Sequence, residues 1–206
     1  MLNLDQIAVK IKNRIPGPIR LQRYFSVLIP LLELQGELHL VYEMRSANLA
    51  TQPGQICFPG GGIEKGEEFS EAAIRECSEE LLIPSTKIEL LGESDYLLTP
   101  FNFTIYAFVG RLKLNSLTEI KANSYEVAEV FTVPLKYFLN NPAEKYTAVL
   151  KSEFDSDFPY HLLPQGKKYN SRRGDYQIYF YRYQDKIIWG ITAELTKKFI
   201  DIIRSE

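Results

Sequence analysis

The sequence predicts an α/β protein in which strands outnumber helices and the two are interleaved. Strand-like alternation recurs from residue 24 to residue 190, a glycine-rich loop opens directly onto a glutamate-rich amphipathic helix, and a second amphipathic helix lies near the end of the chain. A length of 206 residues suits one globular domain, 1–206.

The elements follow in order. Leu4, Ile7 and Ile11 recur at helical spacing, which predicts a short amphipathic helix over residues 3–14 that Pro16, Gly17 and Pro18 interrupt. Strand patterns over Tyr24–Leu32 and Glu37–Arg45 flank Gln35-Gly36 and read as a hairpin. Residues 46–66 are rich in glycine and proline and form a loop. A helix runs from about Glu68 to Leu82, burying Ala72, Ala73, Cys77 and Leu81 with Ile74 at the edge, and Pro84 closes it. Strand-like segments lie near 87–99, 102–114 and 126–133, with a short helix at 134–140. Residues 176–190 alternate aromatic and polar side chains as a long hairpin or two strands. From Ala193 to Arg204, Leu195, Phe199, Ile202 and Ile203 share one helical face.

Composition narrows the class. Twenty-four Lys and Arg against 26 Asp and Glu leave a net charge of −2, without the basic excess of a general nucleic-acid binder. An anionic ligand therefore meets local charge or a metal ion. Two cysteines, Cys57 and Cys77, form no C-x-x-C pair, so neither a disulfide framework nor a structural zinc site is expected. The N-terminal segment lacks the apolar core of a signal peptide, and no run reaches the roughly 18 to 20 apolar residues that span a bilayer. A cytoplasmic protein without membrane association is expected.

The chemistry concentrates in residues 59–83, PGGGIEKGEEFSEAAIRECSEELLI. Glu76 and Glu80 stand at i,i+4, and Glu76 and Glu79 at i,i+3, so three carboxylates leave one helix surface together. Like charges at this spacing destabilise a helix by a few tenths of a kcal/mol per pair. A bound divalent cation offsets that repulsion, and hard oxygen ligands select Mg²⁺, Mn²⁺ or Ca²⁺. A solvated glutamate face is the plainer alternative.

The flanking residues resemble the Nudix box, a glycine, then E, R-E-U, E-E and G-U at fixed spacing, with U aliphatic. Gly61, Glu67, Arg75-Glu76, Cys77, Glu79-Glu80 and Ile83 fall at its intervals, and Leu82 replaces the second glycine. The box thus covers 61–83. That glycine commonly supplies a helix stop, a task Pro84 can take over. Cys77 reads as a core cysteine rather than a nucleophile. The resemblance implies a Nudix-type α/β/α sandwich with a mixed β-sheet and hydrolysis of a phosphoanhydride with Mg²⁺ or Mn²⁺. It implies Glu76 and Glu80 as direct metal ligands, Glu79 as ligand or general base, and the carbonyl of Gly61 as a further ligand. Gly60 and Gly61 would let the backbone approach the diphosphate. Glu67 and Arg75 resemble the family's supporting pair. Glu126 is the first choice for a downstream base, before Glu129 and Glu119, in a segment resembling the family's E-V-x-E-V strand.

A second resemblance concerns substrate. Residues 41–61, VYEMRSANLATQPGQICFPGG, are similar to the segment preceding the box in the coenzyme A-cleaving branch, through Arg45-Ser46, Gly54 and Phe58-Pro59-Gly60-Gly61. Glu43 takes a threonine position and Ala50 an arginine position. The tail IIWGITAELTKKF resembles the branch's I-W-G-x-T-A ending. The implied reaction converts coenzyme A or its thioesters to 3′,5′-ADP and 4′-phosphopantetheine or its acyl form. Arg45 is the phosphate-binding candidate, because a guanidinium fork suits phosphate. Lys167, Lys168, Arg172 and Arg173 form either a second phosphate site or a solvated basic loop. Trp189 and Tyr176, Tyr179, Tyr181 and Tyr183 stack on adenine, cover a sheet face or form a homodimer contact. His39 and His161 have no partner at an informative spacing. Hydrolysis of ADP-ribose or another nucleoside diphosphate derivative is the alternative within the family, and a non-catalytic ligand sensor the alternative outside it.

Overall fold

In the computed structural model, which describes residues 3–20, 23–169 and 173–205, the chain opens with α1 (Leu4–Lys12). Asn3 and Gln6 cap it reciprocally, and none of its residues is buried.

The long strand β1 (Arg23–Leu34) then enters the middle of an eight-stranded mixed sheet. Its almost continuous apolar run from Val27 to Leu32 is what a strand covered on both faces needs. It pairs in parallel with β7 (Phe103–Leu112) and antiparallel with β2 (Glu37–Arg45). The β1–β2 turn is Gln35–Gly36, both left-handed at φ 51° and 80°. Beyond β2 lie β3 (Ile56–Cys57) and β8 (Val127–Pro134), and the short β4 (Gly60–Gly62) pairs with the start of β1. The segment expected as one strand over 87–99 is divided into β5 (Ile88–Glu93) and β6 (Leu97–Leu98), both antiparallel to β7.

Side-chain alternation along these strands divides the core in two. Leu28, Leu32, Val41, Phe108 and Leu112 face α2 (Phe69–Leu81), which contributes Ala73, Cys77 and Leu81. Ile29, Leu31, Leu40, Tyr42, Ile105, Ala107 and Val133 face the opposite way. There they meet α3 (Leu135–Asn140), α4 (Gly190–Arg204) and a second, antiparallel sheet of β9 (Glu144–Leu150), β10 (Gly174–Tyr183) and β11 (Lys186–Trp189). The result is the expected α/β/α sandwich around a mixed sheet.

Three further details differ from the sequence expectation. β9 was not foreseen, because most of its side chains are exposed or half-buried and leave no apolar pattern. The last helix begins at Gly190, and its buried face is Thr192, Ala193, Leu195, Thr196, Phe199 and Ile200; Ile202 and Ile203 are 39% and 43% exposed. This face fastens the helix to the site-bearing strands. Thr192 Oγ1 donates to the Ile56 carbonyl at 3.0 Å, and Thr196 Oγ1 lies 2.9 Å from Tyr42 Oη.

The third difference is how α2 stops. Leu82 itself adopts the left-handed conformation, φ 49° and ψ 46°, and its N–H bonds back to the Ser78 carbonyl. The helix therefore ends before Pro84 acts. A branched side chain in this region costs about 1–2 kcal/mol. Leu82→Gly is accordingly expected to stabilise the protein by about 1 kcal/mol, because Leu82 is 52% exposed and loses little packing. Denaturant titration measures this, and a destabilised variant would show that the Leu82 side chain contributes more than its backbone costs.

Candidate active site

The site begins with a steric demand. β4 lies so close against β1 that a Cβ on Gly60 would sit 2.5 Å from the Ser26 carbonyl oxygen and 2.7 Å from Val27 Cα. A Cβ on Gly61 would collide with the Glu76 carboxylate. Glycine at both positions thus brings the loop backbone directly onto the glutamate helix. The Gly60 N–H donates to Glu80 Oε2 at 2.8 Å, fixing that approach.

Arg75 holds the outer layer together. Its Nε and Nη2 donate to Glu67 at 2.8 and 3.1 Å, its Nη1 to Glu76 at 2.8 Å and to Glu79 at 3.3 Å, and Nη2 also to the Gly62 carbonyl at 3.0 Å. One guanidinium therefore joins the loop to three carboxylates. Hydrogen bonding from Arg75 lowers the Glu67 pKa, and Glu67 in turn raises that of Arg75. Glu79 remains largely exposed.

Beneath this layer are charges that the fold would not bury without compensation. Glu80 is 5% exposed on the otherwise apolar face of α2, and Glu43 on β2 is 1% exposed. Burial, then repulsion from Glu43, pushes the Glu80 carboxyl up to about 9, against the stabilising Gly60 N–H. Burial likewise pushes Glu43 up to about 7, although the Cys57 thiol donates to it at 3.3 Å. Glu76 is raised by burial, opposed by Arg75. Sequence reasoning noted Glu43 as a departure from a threonine and assigned it no role.

These shifts set a pH dependence for the metal-free protein. Both carboxyls have folded pKa values above the ordinary 4.5, so folding favours their neutral forms. Their contribution to stability is complete below about pH 4.5 and is lost as pH rises through about 7 and about 9. In EDTA, the wild-type Tm is expected to fall across this interval more steeply than that of Glu80→Gln. Parallel slopes in thermal melts of the two proteins would contradict the assignment.

Of the three downstream glutamates, the fold turns one toward this cluster. Glu126 lies in the turn before β8 and repels Glu80, Glu76 and Glu43. The turn is fastened by Asn123 N–H to the Glu80 carbonyl at 2.7 Å and by Ser46 N–H to the Glu126 carbonyl at 2.7 Å. Glu129 is instead paired with Lys186 at 2.7 Å, and Glu119 accepts from Asn115 N at 2.7 Å. Arg45 ends β2 half-buried beside this group, and its charge acts on Glu43 and Cys57.

Other candidates lie apart from the glutamates or outside the described residues. His39 pairs with Pro134 at the opposite end of β2 from Arg45. Cys77 is fully buried in the core. Tyr181 packs into the core, and Trp189 stacks on Phe180 with ring centroids 5.8 Å apart. A concavity of about 630 Å³ lined by Phe154, Phe158, Tyr160 and His161 contains none of the site glutamates. In the basic cluster, Lys168 and Arg173 are exposed, while Arg172 lies outside the described residues.

A close glycine loop, an arginine-bound glutamate helix and a buried carboxylate pair meet at one place in the fold. Residues 23–158 match the NUDIX domain, and the chain belongs to the Nudix hydrolase family, enzymes acting on diphosphate bonds. It is 31% identical over 201 residues to an uncharacterized Nudix hydrolase NudL of Photorhabdus laumondii, covering 95% of each chain. It is also 38% identical over 124 residues to the mouse peroxisomal coenzyme A diphosphatase NUDT7, covering 56% of this chain and 49% of that one. A MutT/nudix family protein from Enterococcus faecalis shares the fold at a TM-score of 0.50 and 13% identity, over 98% of this chain and 70% of the other.

Nudix hydrolases generally use divalent metal ions, and the donors here fit one in chemistry. The set is oxygen-rich and anionic, and Glu43 Oε2 is buried without a hydrogen-bond partner. Among the described residues, no three His, Cys, Asp or Glu side chains are already gathered around one point. Arg75 instead holds Glu76 at 2.8 Å and Glu79 at 3.3 Å.

Proposed function

We propose that the protein hydrolyses the diphosphate of coenzyme A or its thioesters. Water adds across the anhydride to release 3′,5′-ADP and 4′-phosphopantetheine or its acyl derivative. The observation that carries this reading is the course of residues 45–61. Arg45 leaves β2 beside the carboxylate cluster, the Gln55 and Gly54 loop folds back onto its backbone, and Phe58-Pro59-Gly60-Gly61 arrives against Glu80 and Glu76. The same stretch carries the sequence resemblance to the coenzyme A-cleaving branch. The similarity to the mouse coenzyme A diphosphatase supports the reading.

In this proposal Glu76, Glu79, Glu80 and the Gly61 carbonyl hold Mg²⁺ or Mn²⁺. A metal held there would neutralise diphosphate charge and lower the pKa of the attacking water. Glu126 takes the proton from that water, with Glu79 as the alternative base. Arg45 binds a phosphate oxygen pair, and the Gly60–Gly61 backbone lies along the diphosphate. Arg75, anchored by Glu67, positions Glu76.

One observation favours a second reading. Ala50 stands where the branch has an arginine, which removes a cation available to the 3′-phosphate. A nucleoside diphosphate lacking that phosphate, such as ADP-ribose, would not need it. Values of kcat/KM for coenzyme A, dephospho-coenzyme A and ADP-ribose, measured side by side, decide between them. The proposal expects coenzyme A to be cleaved fastest. Cleavage of ADP-ribose with coenzyme A left intact would transfer the chemistry to the second reading.

A further inference from the structure

Glu43 is buried on a face of β2 whose other polar residues, Glu37, His39 and Arg45, are only half-buried. It shares a strand face with Val41, two residues earlier, which packs in the core under α2. Glu43 is 1% exposed, and its Oε1 accepts from the Cys57 thiol across the β2–β3 rung. Its Oε2 has neither a hydrogen-bond partner nor access to solvent.

The charged groups around it come from three elements. Arg45 acts from its own strand, Glu76 and Glu80 from α2, and Glu126 from the turn before β8. Arg45 donates to the Thr51 carbonyl rather than to Glu43. Three of these four groups are therefore carboxyls, and Arg45 is the one cation among them. Buried polar atoms in folded proteins are almost always satisfied, so an orphan facing other carboxylates calls for a cationic or donor-bearing partner that binds there. A divalent cation with its bound water offers both properties. The half-buried Cys57 thiol does not compete for this role, because it already donates to Oε1.

We propose that Glu43 is a further carboxylate of the divalent-metal site, with its orphaned Oε2 holding the ion directly or through one metal-bound water. It adds to the ligand set of Glu76 and Glu80, and the Cys57 thiol, by donating to Oε1, fixes its orientation. The inference rests on the metal-dependent reading of the glutamate cluster and is independent of which diphosphate is cleaved.

The test is Mn²⁺ titration without substrate, following the electron paramagnetic resonance signal of the free aqua ion. Wild type, Glu43→Gln and Glu43→Thr are compared, with circular dichroism and an EDTA melt for each. Both variants are expected to remain folded, with metal-free Tm values no lower than wild type, since one buried charge is removed. Their Kd for Mn²⁺ should rise about 10–100-fold, the range found when groups supporting a metal site are removed. Kd values within twofold of wild type would overturn the proposal, leaving Glu43 a buried neutral carboxyl. If Glu43→Gln does not fold, the Thr variant decides by the same criterion. Wild type that binds no Mn²⁺ would overturn both this inference and the metal-dependent reading. Weakened Mn²⁺ binding in a protein that leaves coenzyme A intact would support Glu43 and remove only the substrate.

Discussion

Glu80→Gln is expected to lower turnover of a diphosphate substrate by on the order of 10³-fold while the protein stays folded. The amide keeps an oxygen for the Gly60 N–H, so the loop–helix contact at 2.8 Å survives. What it loses is the negative charge, and with it the proposed hold on a divalent ion beside Glu43 and Glu76. The fold should not suffer, because that charge is disfavoured by burial in the absence of metal. Steady-state rates and an EDTA melt on the same preparation measure both halves. A folded Glu80→Gln enzyme with a rate close to wild type would remove Glu80 from the reaction.

Gly61→Ala is expected to reduce kcat by about 100-fold, the scale of a 1 Å misplacement in an active site. The new methyl group would occupy the space of the Glu76 carboxylate, so either Glu76 or β4 must move. Moving Glu76 breaks its bond to Arg75 Nη1, and moving β4 shifts the Gly61 carbonyl. Both displacements act on proposed metal ligands, so the apparent affinity for Mn²⁺ should fall along with kcat. Unchanged kcat and metal affinity would show that the close approach of loop and helix is not required.

The legibility of this site in the sequence followed burial and period. The glutamate helix was readable because 3.6-residue spacing places Glu76, Glu79 and Glu80 together, and Ala73, Cys77 and Leu81 behind them. The strands β1, β2 and β7 were readable because continuous or alternating apolar runs mark covered strands. Arg75 bonding four partners follows from tertiary approach of the loop, which spacing alone does not specify. Glu126 is separated from the helix by more than forty residues and reaches it because Asn123 bonds the Glu80 carbonyl. Glu43 left no sequence signal of its burial, because alternation groups it with Glu37, His39 and Arg45 on the polar side of β2, and its burial beside Val41 comes from tertiary packing. The second sheet was half visible, since β10 and β11 carry aromatic alternation whereas β9 is mostly exposed.

The proposed reaction is hydrolysis of a coenzyme A diphosphate, with a divalent metal, at the carboxylate cluster beneath Gly60 and Gly61. The measurement that tests it most directly is incubation of the purified protein with coenzyme A and Mg²⁺ or Mn²⁺, with and without EDTA, and chromatographic quantification of products. 3′,5′-ADP and 4′-phosphopantetheine are expected in equal amounts, with neither formed in EDTA. Coenzyme A left intact in the presence of either metal, or cleaved equally well in EDTA, would contradict it.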